Sequence, residues 1–222
     1  MPANPLKIRS FQLYLSALFV SYLGTGIHFI AIAWLILELT GSNAFVGTVL
    51  GLSLLPGLFF SFPAGVYSDR HSRKWISVSA DLFRFVVVAA IPILYYLDLS
   101  LMSPLLILVA EVLQATASPF YTTATAGLVK DSVPAGSLLM ANRYKEMTLQ
   151  SAALIGAGVA GFAIMALGSY GALLLDSFTF LLSAVLLAFI PNSKPQMANA
   201  KRAPVLILAK EGLVYARNRP LL

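Results

Sequence analysis

Long apolar stretches separated by short polar turns are the dominant pattern along the chain. Most are close to the roughly 20 residues that cross a bilayer as a helix, and none shows the alternation of a membrane barrel strand. The turns lie at residues 40–43, 68–74, 97–101, 130–146 and 168–170. The pattern therefore predicts an all-α membrane protein with six transmembrane helices, at residues 11–39, 44–66, 75–96, 102–129, 147–167 and 171–190.

The composition agrees with an integral membrane protein. Of the 222 residues, 59% are hydrophobic and 11% are charged, against about 25% charged residues in soluble domains. The chain has no cysteine, and its two histidines are His28 and His71, which excludes disulfides and thiolate metal sites and argues against a histidine metal centre. We therefore expect no metal site and no cofactor.

The basic residues are distributed unevenly between the turns. If the N-terminus is cytoplasmic, the inner segments carry every Lys and Arg except Arg84, and the outer turns carry none. Because cytoplasmic loops are enriched in Lys and Arg, we expect a multi-pass plasma-membrane protein with both termini in the cytoplasm. The basic residues are scattered over loops, so their expected partner is the lipid bilayer and not nucleic acid.

The composition changes after Pro191, so we divide the chain into a transmembrane part at residues 1–191 and a tail at residues 192–222. The tail begins as a polar linker and is too polar to cross a bilayer. Apolar residues then recur at helical spacing, at Leu206, Ala209, Leu213 and Ala216. This spacing predicts an amphipathic helix on the cytoplasmic membrane surface.

The turn after the second predicted helix contains the most specific motif. It reads Gly65-Val66-Tyr67-Ser68-Asp69-Arg70-His71-Ser72-Arg73-Lys74. This motif resembles the loop signature of the major facilitator superfamily, G-x-L-a-D-r-x-G-r-[RK]. The matching positions are Gly65, Asp69, Arg70, Arg73 and Lys74. Tyr67 and Ser72 depart from the signature, because they replace a leucine and a glycine.

Short segments in a consistent order extend the resemblance over the whole chain, to the efflux branch that contains macrolide exporters and the enterobactin exporter. They include Ser21-Tyr22-Leu23-Gly24, Leu37-Glu38-Leu39-Thr40-Gly41-Ser42, Asp81-Leu82-Phe83-Arg84, Val133-Pro134, Asp176-Ser177-Phe178 and Glu211-Gly212-Leu213-Val214-Tyr215. The resemblance implies two three-helix repeats that form the N-terminal half of a transporter. It also implies that the signature loop switches the transporter between conformations.

The function implied by this resemblance is proton-coupled export of drugs or other small molecules across the bacterial inner membrane by alternating access. A full transporter of this kind has two six-helix halves around one central site. The expected partners are therefore a small-molecule substrate, the proton, and a missing C-terminal half or a second copy. The chain is expected to be a fragment or truncated product, an expressed piece, or a half-sized protein.

A polar stripe on the fourth predicted helix supplies the candidate proton site. Its members follow three- and four-residue steps, which place them on one helix face: Glu111, Gln114, Ser118, Thr122 and Thr125. The resemblance places this stripe at the central cavity, together with Ser21, Thr25 and His28 of the first helix. We hypothesise that Glu111 exchanges the coupling proton, with or without His28. The alternative is that both side chains are satisfied by hydrogen bonds within the bundle.

Three further intramembrane residues are interpreted as structural. Asp81 and Arg84 are spaced as an i, i+3 ion pair on the third helix, and Asp176 is expected to form a hydrogen bond to another helix. Four prolines are expected to kink their helices: Pro56, Pro63, Pro92 and Pro119.

The fifth predicted helix is rich in small residues, with Gly156, Gly158 and Gly161 as its candidate packing motif. Small residues let membrane helices approach closely. The superfamily's antiporter motif lies at this place, but Ala157 stands where its proline is usual. A gating role and a packing role alone both stay open.

The sequence contains no hydrolase elbow, phosphate-binding loop or metal motif, so we do not expect an enzyme. The alternative to a transporter is a truncated, non-transporting membrane protein with a structural or assembly role.

Overall fold

The computed structural model describes residues 4–97 and 103–191, and every regular element in these ranges is helical. The helices are α1 (Arg9–Thr40), α2 (Asn43–Leu52), α3 (Leu55–Arg70), α4 (Arg73–Tyr96), α5 (Pro104–Ser132) and α6 (Leu138–Ala188). Short 3-10 helices at Pro5–Lys7 and Ala135–Ser137 precede α1 and α6. The prediction of an all-helical protein is confirmed for these ranges. The predicted amphipathic helix of the tail lies outside the described residues.

Five stretches of the described chain are long and apolar enough to cross a membrane: α1, α2 together with α3, α4, α5, and Ala135–Ala188. The last stretch has 54 residues, far more than the roughly 20 residues of one crossing. Gly168 interrupts it with φ 72° and ψ 173°, a conformation open essentially to glycine alone. This glycine lies in the turn predicted at residues 168–170.

The chain reverses direction at Gly168, as the contacts of α6 with α1 demonstrate. Gly156, before the interruption, lies against the backbone of Leu23. Thr179, after it, lies against Gly24 on the same turn of α1. In a straight helix, residues 156 and 179 would be separated by about 35 Å at 1.5 Å per residue. The two parts of α6 therefore pass the same level of α1 as a helical hairpin.

The second predicted helix, at residues 44–66, is not continuous. It divides into α2 and α3 around Ser53 and Leu54, with Pro56 in the first turn of α3. Proline lacks a backbone N–H, and its ring clashes with the carbonyl four residues earlier, which is that of Leu52. The chain therefore breaks there, and the Ser53 hydroxyl bonds to the carbonyl of Leu50 at 2.8 Å.

Two of the predicted turns are shorter than expected. They are the turn that contains the signature motif and the turn that follows the fourth predicted helix. α3 continues to Arg70, so only His71 and Ser72 separate it from α4. α6 begins at Leu138, so much of the predicted turn at residues 130–146 is helical. Polar residues do not end a helix by themselves. Hydropathy therefore marked where the apolar segment ends and not where the helix ends.

Two apolar clusters surround α1, which contacts α2, α5 and α6. The first cluster includes Phe11 and Leu18 of α1, and the second includes Ile27 and Leu35. Of the buried polar residues of α1, Ser21 lies between these clusters and His28 lies next to Ile27 of the second. This arrangement places a polar layer near the middle of the bundle, with apolar packing on both sides of it.

Candidate functional site

The centre of the polar layer is His28, held between two carboxylates from different helices. Its Nδ1 lies 2.7 Å from Oδ2 of Asp176 on α6, and its Nε2 lies 2.7 Å from Oε1 of Glu111 on α5. All three residues are at least 95% buried. We call this group the His28 triad. It connects α1, α5 and α6 at one point.

The short contacts of the His28 triad limit where its hydrogens can be. Each ring nitrogen faces a carboxylate oxygen, so a hydrogen must lie between the two atoms of each contact. The ring is therefore an imidazolium between two carboxylates, or a neutral imidazole beside one protonated carboxyl. Both arrangements hold two hydrogens and one net negative charge. Loss of either hydrogen leaves a bare nitrogen facing a carboxylate, which breaks one contact between helices.

A second charged group, Asp81 with Arg84, lies beside the triad. Arg84 donates from Nη1 to Oδ1 of Asp81 at 3.3 Å and from Nη2 to Oγ1 of Thr25 at 3.1 Å. The Arg84 guanidinium also lies 4.1 Å from the ring centre of Phe180 on α6. The pair is buried, and it contacts α1 through Ser21 and Thr25 and α6 through Phe180.

A cavity of about 430 Å³ opens beside the His28 triad. Four members of the polar stripe on α5 line it: Glu111, Gln114, Ser118 and Thr122. Thr25, His28 and Arg84 contribute from α1 and α4, while Ile32 and Leu50 belong to its apolar wall.

Two of the predicted cavity residues do not line this space. The hydroxyl of Thr125 donates to the carbonyl of Tyr121 at 2.7 Å, within α5. The hydroxyl of Ser21 lies deeper in the bundle and donates to Oδ1 of Asp81 at 3.3 Å.

The signature motif forms a charge cluster at the ends of α3, α4 and α5. Arg73 donates from Nη2 to Asp69 at 3.2 Å and from Nη1 to Asp131 at 3.3 Å. Its side chain lies over Gly127, where any β carbon would collide with it. Asp131 was not among the predicted residues, because no signature position points to the end of α5.

The remaining signature residues lie around this cluster. The ammonium of Lys74 lies 5.1 Å from the ring centre of Trp75. Arg70 ends α3, and Gly65 has open space where a side chain would point.

Of the predicted packing glycines, only Gly156 lies in a helix contact, against Leu23 of α1. Gly158 and Gly161 are exposed, with open space where a side chain would point. The glycine that complements Gly156 is Gly26 of α1, which lies against the backbone of Ala153 and Ala157. The sequence signal that could have identified Gly26 is a glycine in the interior of a predicted helix whose neighbours are mostly larger residues.

Comparison with known proteins identifies the family. The profile of a family described as "Transmembrane secretion effector", a branch of the major facilitator superfamily, matches residues 1–219. The chain belongs to this family. The resemblance inferred from the sequence, to a major facilitator transporter of the efflux branch, is thus confirmed.

Several relatives of the chain are also described as efflux pumps or MFS-type transporters. The multidrug efflux pump Tap of Mycobacterium tuberculosis is 27% identical over 212 residues, which cover 93% of this chain and 50% of Tap. The MFS-type transporter YfiS of Bacillus subtilis is 26% identical over 207 residues, which cover 91% of this chain and 48% of YfiS. The chain thus spans about half the length of the curated relatives it matches.

Proposed function

We propose that this chain is the N-terminal half of a proton-coupled transporter that exports drugs or other small molecules by alternating access. The observation that carries the proposal is the His28 triad at the wall of a central cavity. Membership of a major facilitator family and the efflux pumps among the relatives support the transport class. The half-length match supports the need for a second half.

Proton coupling in this proposal follows from the hydrogen count of the triad. Glu111 is the member that lines the cavity beside His28, whereas Asp176 is fully buried. Loss of one hydrogen therefore breaks the contact on the Glu111 side, where the cavity gives the carboxylate room and water. A proton taken up from one side of the membrane restores the contact between α1 and α5. A substrate in the cavity therefore lies beside a Glu111 side chain that is bonded to His28 in one state and released from it in the other.

The proposed topology has six crossings and both termini in the cytoplasm. The hairpin at Gly168 supports two crossings within α6, since each part is long enough to span. The basic signature loop and the basic residues before α1 then lie on one side. In this arrangement the Arg73 cluster forms the cytoplasmic switch, because it fixes the ends of three helices through one guanidinium.

The state of assembly is the first test of the proposal. The chain is extracted from its membrane in mild detergent and its mass is measured by native mass spectrometry. A dimer or a complex with a separate second half supports the proposed transporter. A monomer that nevertheless carries substrate in proteoliposomes contradicts it, because one half lacks the second cavity wall. A monomer without transport supports the truncated, non-transporting protein instead.

The role of Glu111 is tested in the assembled transporter by Glu111→Gln. We expect this variant to lose the acceleration of dye export by an imposed pH gradient, because the amide cannot release a proton. The matched control is Glu146→Gln, which removes an exposed carboxylate on α6 and is expected to keep the acceleration. Unchanged pH-driven export in Glu111→Gln would contradict the proton role while leaving the transport class intact.

A further inference from the structure

Most hydroxyl groups on the cavity wall are already used within their own helices. Each donates to a backbone carbonyl three or four residues earlier, and they belong to Thr25, Ser53, Ser61 and Thr122. A hydroxyl has only one hydrogen to donate. These side chains therefore offer no free hydrogen-bond donor to a molecule in the cavity.

Gln114 of α5 differs from the other buried polar side chains of the wall. It lines the cavity and is 8% exposed. Its amide has no hydrogen-bond partner among the described residues, whereas His28, Arg84 and Glu111 all have partners. Because an unpaired buried polar group is costly, the amide has to be satisfied by a molecule that occupies the cavity.

Glu111 lies one turn before Gln114 on the same face of α5. Its Oε1 contacts Nε2 of His28 at 2.7 Å, while its Oε2 has no partner in the part of the chain that the structure describes. Residues three positions apart on a helix have β carbons about 5–6 Å apart. Oε2 of Glu111 and the amide oxygen of Gln114 therefore form a pair of free acceptors at the cavity.

The charge and spacing of these acceptors select the ligand. The His28 triad holds one net negative charge, and the charge of Arg84 is balanced by Asp81 at 3.3 Å, so the wall favours a cation. An ammonium nitrogen that donates to two oxygens at typical hydrogen-bond lengths holds them about 5 Å apart, which matches the spacing of the two side chains. This bridge requires two N–H bonds on one nitrogen.

Another part of the cavity wall is apolar, with Phe29, Ile32, Leu50 and Leu54 among its residues. The volume of about 430 Å³ lies in the range of sites that bind drug-sized molecules. A ligand that matches both parts of the wall has an apolar body and an ammonium group.

We propose that Gln114 determines the specificity of the cavity, because together with Glu111 it selects amphiphilic primary and secondary amines over quaternary ammonium ions of the same charge. A quaternary ion has no N–H group, so it leaves the Gln114 amide oxygen unpaired. A site that forms a hydrogen bond to its ligand rejects an analogue that lacks the donor. This inference rests on the proposed function, since it takes the cavity to be the substrate site.

Two fluorescent probes test the selection in the unmodified chain. Dansylcadaverine has a primary ammonium group, and its trimethylammonium derivative has the same fluorophore and the same charge. Binding to the full chain in nanodiscs is followed by dansyl fluorescence, with empty nanodiscs subtracted. We expect dansylcadaverine to bind about 10- to 100-fold more tightly, as is usual for a hydrogen bond to a charged group. Equal affinities would mean selection by charge alone and would overturn the proposal, as would the absence of binding by both probes.

Gln114→Met assigns the selection to the amide. The variant keeps a long unbranched side chain and removes an amide without a partner in the described protein, so we expect it to fold. Its affinity for dansylcadaverine is expected to fall about tenfold, with little change for the trimethylammonium probe. The matched control is Gln150→Met, because Gln150 is exposed on α6 and does not line the cavity. A full preference for the primary amine in Gln114→Met would overturn the role of Gln114.

The specificity and the transport function can fail separately. Binding is measured without a pH gradient, so a preference that is lost in Gln114→Met supports the role of Gln114 even if proteoliposomes show no transport. Equal export of the two probes by an active transporter contradicts the specificity and leaves the transport class intact.

Discussion

His28 is the residue on which the buried charges of the bundle depend. It contacts one oxygen of Glu111 and one oxygen of Asp176 at once, so neither carboxylate lacks an ionic partner in the interior. A carboxylate inside a bilayer is costly unless it is paired or hydrated. The same residue therefore stabilises the bundle and connects it to the cavity.

We expect His28→Ala to destabilise the protein by about 3–5 kcal/mol at neutral pH, because two buried carboxylates lose their shared partner. The loss should shrink at acidic pH, where added protons remove the unpaired charges. Unfolding in mixed micelles at both pH values measures it. His71→Ala is the control, since His71 is exposed and lies outside the triad: its ring stacks on Tyr67, and its Nδ1 lies 3.1 Å from the Tyr67 carbonyl. An equal loss at both pH values would contradict this explanation.

Most residues of the site could be identified from the sequence, but their arrangement could not. Glu111 and His28 stand out because ionisable residues are rare in apolar helices, and periodicity places Glu111 on a polar stripe. Asp176 was expected to bond to another helix, but not to share His28, because a separation of 148 residues leaves no periodic signal.

At the scale of elements, hydropathy predicts the apolar segments well and the backbone breaks less well. The turn at Gly168 was predicted because glycine, serine and tyrosine interrupt an apolar run. The break between α2 and α3 was expected only as a kink at Pro56, because the residues on both sides are apolar. A missing hydrogen bond at Leu52 changes the backbone without changing the hydropathy.

The contact between α1 and α6 makes a specific prediction about glycine. In Gly156→Ala the new β carbon would collide with the backbone carbonyl of Leu23, so the helices must separate. Overpacking of this kind typically costs about 1–3 kcal/mol. Gly158→Ala, on the same helix, adds its methyl group to open space and is expected to be neutral or slightly stabilising, because alanine favours helix. Denaturant unfolding of both variants measures the difference.

Equal effects of the two alanine substitutions would contradict the close approach of α1 and α6. The comparison holds helix propensity constant, because both positions exchange the same residues within one helix. Only the surroundings of the new methyl group differ.

At the scale of the whole molecule, the absence of cysteine makes the proposed topology directly measurable. Single cysteines can be introduced at three exposed positions, as Asn43→Cys, Arg143→Cys and Leu167→Cys. In right-side-out spheroplasts, an impermeant maleimide is expected to label the variants at positions 43 and 167 only. Labelling of Leu167→Cys from the same side as Arg143→Cys would contradict two crossings within α6.

The close approach of α1 and α6 also determines how this part of the molecule can move. Helices separated by layers of side chains can slide, because rotamers readjust between them. At Gly26 and Gly156 a backbone lies directly against another helix, and no such layer is present to readjust. In the proposed alternating-access cycle, we therefore expect the two helices to rotate together as one rigid body. We then expect the hinge of this half to lie elsewhere, at the break around Ser53 and Leu54, on the cavity wall between α2 and α3.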